Sequence, residues 1–172
     1  MIKPAVRAFV VIGLLYGSAA AAERHDYWTI LPKKEAEKMR QPCSRPLLKE
    51  LGSVWEPSEA NIERAEKKLP AAIDAAFARL SRPEDRRRRP DRYYRQYAGF
   101  LRNGKRVIYV SATGVDKNIN EIDTREWRTA EILACDTGTY SFSAVYDIEK
   151  DRFDLFWFSG RYEGPVPGGG WR

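Results

Sequence analysis

The chain has 172 residues, a formal charge of +6 and 31% charged side chains. A single histidine, His25, excludes a zinc site built on several histidines. A Ser-His-Asp site is equally poorly served, because His25 falls close to the start of the expected mature chain, where a base is not held rigidly.

The first segment has the three parts of a secretory leader. Lys3 and Arg7 give a positive start, Ala8 to Tyr16 is an uncharged apolar run, and Ala20 and Ala22 fit the small-x-small cleavage rule. The apolar core is too short to span a bilayer, which takes about 20 residues. Residues 1–22 are therefore expected to be removed, leaving about 150 residues, enough for one domain with a core. Without Lys3 and Arg7 the charge falls to about +4. The expected location is periplasmic or secreted, with no transmembrane segment after cleavage.

Two cysteines, Cys43 and Cys135, in an exported chain predict a disulfide. Closing so long a loop stabilises by roughly 4 to 5 kcal/mol in the loop-entropy picture. Residues 23–56 carry Pro32, Pro42 and Pro46 and are expected to be irregular and pinned by Cys43, with one short charged helix over Lys33 to Arg40.

The α+β domain is expected over 57–162. Ser58 after Pro57 has the form of a helix N-cap, and Glu59 and Glu63 suit the positive end of the helix dipole. Ile62, Ala65, Leu69, Ile73, Phe77 and Leu80 then recur at spacings of three and four, an amphipathic stripe. Pro70 interrupts it, so a kink or two abutting helices are expected. Residues 81–92 form a charged connector with two prolines.

From Tyr93 the period changes to two. Tyr93–Leu101 and Lys105–Ala112 flank Asn103-Gly104, the strongest short-range hairpin signal. Thr129–Cys135 reads as a third strand and Thr139–Asp147 as a fourth. Arg152–Ser159 reads as a fifth, with Phe153, Leu155 and Trp157 on one side and Phe156 and Phe158 on the other. Residues 163–172 read as a flexible tail. The whole predicts a long amphipathic helix packed on a curled antiparallel meander of about five strands, in cystatin-like or NTF2-like architecture. Such a likeness carries no function by itself.

Four stretches together resemble small secreted (periplasmic) proteins of Gram-negative bacteria, a group with no established activity. They are Tyr93-Tyr94-Arg95-Gln96-Tyr97-Ala98-Gly99, Gly104-Lys105-Arg106-Val107-Ile108-Tyr109-Val110, Trp127-Arg128, and Cys135-Asp136-x-Gly138. The resemblance spans about 55–160. It implies export and a single domain, and it supplies no catalytic residue.

The chemistry on offer is sparse. Asp116, Asn118 and Asn120 begin like an EF-hand loop, but Glu121 stands where glycine is needed and Trp127 where the bidentate glutamate should be. These three remain weak metal candidates; no metal and no cofactor are expected. Arg86, Arg87, Arg88 and Arg89 invite a nucleic-acid reading, yet Glu84, Asp85 and Asp91 flank them, so a solvated loop or an anionic surface fits better. Glu131, in phase with Leu133 and Cys135, and Asp136 are the weak catalytic candidates. Burial beside Tyr109 or Tyr140 would raise the Glu131 pKa, whereas a cross-sheet pair with Arg128 or Arg106 is the structural alternative. Tyr94, Tyr97, Trp127 and Trp157 exceed what a thin core readily absorbs, and Tyr, Trp and Arg are the usual interface anchors.

Three functions follow in order. The first is a binding module of the envelope, an inhibitor, protective or docking protein for a protein or cell-wall partner, and no enzyme. The second is a small acid–base hydrolase or isomerase with a pocket in the sheet. The third is a surface protein held on anionic lipid by the arginine run. Oligomeric state stays open.

Overall fold

The computed structural model describes residues 27–40, 51–87, 92–115, 126–132 and 135–160. The leader, Cys43, the loop carrying Asp116, Asn118 and Asn120, Arg88, Arg89 and the tail at 163–172 lie outside the described residues. Within these bounds the chain is α+β with a mixed sheet of six strands.

In chain order the elements are β1 (Trp28–Ile30), α1 (Lys33–Lys38), β2 (Leu51–Trp55), α2 (Glu59–Arg79), α3 (Pro83–Arg87), β3 (Arg92–Arg102), β4 (Lys105–Val115), β5 (Gly138–Asp147) and β6 (Arg152–Ser159). β3 to β6 form an antiparallel meander. Two short strands share the outer edge of β3. β1 runs parallel to it opposite Arg95–Tyr97, and β2 runs antiparallel opposite Gly99–Arg102. The sheet is thus mixed rather than wholly antiparallel, and residues expected to be irregular contribute two strands. Strands of three and five residues are too short to show a period, and only pairing with the long β3 orders them.

α2 begins at a capping box, in which Ser58 and Asn61 exchange bonds between side chain and backbone. It continues through Pro70 as one element instead of dividing there. Pro70 lies on the exposed side, where water can serve the backbone carbonyl that loses its helical donor. The opposite stripe, including Ile62, Leu69, Ile73 and Phe77, is buried against Tyr97, Val110, Phe142, Phe156 and Phe158. The other face of the sheet holds a second core, in which Ala36 and Met39 meet Phe100, Tyr109, Val145 and Trp157. Both faces are covered, so even polar strand residues such as Gln96, Ser111, Ser141 and Ser143 are buried.

Asn103 and Gly104 both have positive φ, 51° and 76°, the conformation a two-residue type I′ hairpin demands. β6 departs from simple alternation. Leu155 lies opposite Val145, yet Phe153 lies opposite Tyr146, so Asp154 is an extra residue in the ladder. This bulge reverses the phase and moves Phe153 to the α2 side with Phe156 and Phe158, away from Leu155 and Trp157.

The described part of Thr129–Cys135 forms no strand. β4 pairs directly with β5, which leaves no slot between them. The backbone of this segment is served instead by one buried side chain. Gln96 Nε2 donates to the carbonyls of Trp127 and Ala130, both at 2.6 Å, and Gln96 Oε1 accepts from the N–H of Ile132 at 2.8 Å.

Candidate functional site

Alternation along β3 sends Tyr93, Arg95 and Tyr97 toward α2 and Arg92, Tyr94 and Gln96 to the other face. On that second face Tyr94 lies between two rings. Tyr27 is stacked at 6.0 Å with planes 27° apart, and Trp127 is tilted at 4.7 Å and 36°. An arginine closes each end. The Arg92 guanidinium sits 4.9 Å from the Tyr27 ring centre and donates to its hydroxyl, and that of Arg128 sits 4.4 Å from the Trp127 ring. The result is a continuous row, Arg92–Tyr27–Tyr94–Trp127–Arg128.

Three chain segments are tied to hold it. The N–H of Arg95 donates to the carbonyl of Tyr27 at 2.9 Å, which fixes the start of β1 on β3. Thr29 Oγ1 donates to the carbonyl of Arg128 at 3.1 Å, and Gln96 grips the carbonyl of Trp127. Trp127 is 2% exposed and forms the base of the row; Tyr27, Tyr94 and Arg128 are half-buried and Arg92 is exposed. Each cation–π contact at such exposure contributes about 0.5–1 kcal/mol. The larger consequence is geometric: two cations and two aromatic edges are presented with little rotamer freedom left to lose on binding.

The row unites Tyr94 and Trp127 but neither Tyr97 nor Trp157. Tyr97 is 0% exposed on the α2 side, and its hydroxyl donates to Glu66. Burial, then the charge of Glu66, pushes its pKa well above the usual tyrosine value. Glu66 also receives Arg95 in a two-pronged pair at 2.6 and 2.9 Å. Trp157 is 6% exposed in the second core, 6.1 Å from Tyr109. Both aromatics therefore serve packing here.

Arg86 turns back on α2, donating to the carbonyls of Leu80 at 2.8 Å and Ala78 at 3.3 Å. It completes a helix end, the usual use of a cation there. The backbone of Arg87 closes α3.

Glu131 lies outside any strand, and its N–H donates to Glu35 at 3.2 Å. The Lys38 ammonium beside Glu35, with this N–H, lowers the Glu35 pKa. Tyr109 donates its hydroxyl to Ser143 at 2.8 Å. Asp136 is exposed in a turn with φ of 52°. Among the described residues no three His, Cys, Asp or Glu side chains are placed to hold a metal ion, and no cysteine is a free thiol.

Sequence reasoning missed Tyr27, Arg92 and Arg128 as members of the row. The spacing of Arg92 and Tyr94, two apart on one strand, was the available signal; Tyr27 had none, since it reaches the row only through parallel pairing of β1. Comparison with known proteins adds no relative: no family model, curated protein or solved structure matches the chain.

Proposed function

We propose that this is an exported envelope protein acting as a binding module, an inhibitory, protective or docking protein, with the Arg92–Tyr27–Tyr94–Trp127–Arg128 row as its contact surface. One observation carries the reading: Tyr27, Tyr94, Arg92 and Arg128, of the side-chain types that dominate interface energetics, form a single pre-ordered row at the surface over a buried Trp127. A protein partner with carboxylates set around an apolar centre complements it best. Export rests on the leader pattern of residues 1–22 and on the resemblance to small periplasmic proteins. A Cys43–Cys135 disulfide belongs to the same reading, supported by the presence of two cysteines in a chain with an export leader. The order β2–α2–α3–β3–β4–β5–β6, with β2 beside β3, supports a cystatin-like rather than an NTF2-like arrangement.

The test uses the mature chain, 23–172, with its cysteines oxidised, as bait on envelope extract with brief cross-linking. The recovered protein is then purified and titrated against the bait and against Arg92→Ser and Arg128→Ser. One-to-one binding that weakens on the order of tenfold in each variant, with unchanged thermal melting, supports the row as the contact surface. Equal binding by the variants moves the surface elsewhere. Failure to recover any partner at any salt concentration rejects the binding module.

A further inference from the structure

A cavity of about 250 Å³ opens at the edge of β3, where its two short neighbours meet. β1 accompanies β3 as far as Tyr97, and β2 takes over at Gly99, so the edge is notched between them. Leu31, Lys33 and Ala36 from one segment and Val54, Trp55 and Glu56 from another line it. Gly99 of β3 completes the lining.

The aromatic wall is built in. Trp55 Nε1 donates to the carbonyl of Phe100 at 3.1 Å, and the Arg106 guanidinium lies 5.3 Å from the ring. Gly99 lets the indole lie directly on β3; a Cβ there would stand 2.4 Å from the Trp55 carbonyl oxygen and 2.7 Å from its ring. The cavity is therefore a consequence of strand pairing and not of a movable side chain.

Its chemistry is mixed in a specific way. The walls are aliphatic and aromatic, and the lining holds one ammonium, Lys33, and one carboxylate, Glu56, both exposed. A ligand of single charge meets one partner and one repulsion. Phosphates and dicarboxylates are opposed by Glu56, and polyamines by Lys33. The volume lies below the roughly 300–1,000 Å³ of ordinary ligand pockets, which favours a small ligand over a nucleotide.

We propose that this cavity binds a free α-amino acid with an apolar side chain. The ammonium faces Glu56, the carboxylate faces Lys33, and the side chain rests against Trp55. The site is separate from the Arg–aromatic row and does not depend on the binding-module reading.

The experiment is calorimetric titration of the mature chain, 23–172, with L-leucine, L-methionine and L-phenylalanine. The N-acetyl and methyl ester forms of whichever binds are then tested. Saturable one-to-one binding is expected for at least one free amino acid, with a loss on the order of tenfold or more when either end is blocked. Lys33→Met and Glu56→Gln, both at exposed positions, should each weaken binding by a similar factor. The inference is overturned if none of the three amino acids binds at millimolar concentration, if the blocked forms bind as well as the free ones, or if both variants bind like the parent.

Discussion

Truncating Glu66 tests how far the α2–β3 contact is held by charge. Its carboxylate accepts Arg95 Nε at 2.6 Å, Arg95 Nη2 at 2.9 Å and the Tyr97 hydroxyl. The Arg95 and Glu66 side chains keep 17% and 23% of their exposure. The pair therefore falls between the ~1 kcal/mol ceiling of surface ion pairs and the ~3–5 kcal/mol lost when a buried pair is broken, at about 2 kcal/mol. Glu66→Ala also strands the Tyr97 hydroxyl in a site with no exposure, adding about 1 kcal/mol. Alanine's better helix propensity returns a few tenths (~0.3 kcal/mol). The net loss is about 3 kcal/mol, or roughly 6–12 °C in Tm for a domain of this size. Tyr97→Phe removes the same hydroxyl and costs about 1 kcal/mol. The double variant should cost about 3 kcal/mol, not 4, because no hydroxyl remains to be stranded, a coupling of about 1 kcal/mol. Urea unfolding of the four proteins by far-UV circular dichroism measures all of this. Additivity within about 0.3 kcal/mol, or a loss below about 1 kcal/mol for Glu66→Ala, would refute the reasoning.

The remaining predictions use the same unfolding assay. Gly99→Ala should cost about 2–3 kcal/mol, since the new Cβ meets a backbone oxygen that cannot swing aside; a neutral result would mean β2 is not held against β3. Trp157→Ala should cost about 3–5 kcal/mol as a core truncation, and a stable variant defective only in partner binding would return Trp157 to the surface. Burial, with the bond to Asp151, pushes the Tyr146 pKa up to about 12 against about 10 in the unfolded chain. Its contribution is whole below pH 10 and disappears as pH rises toward 12, so Tyr146→Phe should flatten the alkaline limb of stability; an unaltered limb counts against this assignment. Asp151 is lowered, first by the Tyr146 hydroxyl, so its contribution is present above the ordinary aspartate range and lost as pH falls through its folded pKa. Asp151→Asn, which tolerates the φ of 53° at this position, should shallow the acid limb; an acid limb as steep as the parent's would show that Asp151 does not contribute.

The Glu66–Arg95 pair and the Gly99–Trp55 contact both join residues far apart in sequence. That separation divides what could be read in advance from what could not. The Asn103-Gly104 turn, the alternation of β5 and the span of β6 were legible, because each depends on neighbours within a few residues. The apolar stripe from Ile62 to Leu80 was legible for the same reason.

What the sequence by itself determined, then, is local geometry and the burial of one helix face and several strands. Only the tertiary structure decided that β1 and β2 share the edge of β3, that one extra residue at Asp154 sends Phe153 across the sheet, and that Gln96 holds 127–132 in place of a strand. The Arg–aromatic row and the Trp55 cavity belong to this second class, since each draws on distant segments that are brought together at β3. The physical reason is that a short strand or irregular segment buries too little to order itself, so its conformation is set by whichever distant partner completes its hydrogen bonds.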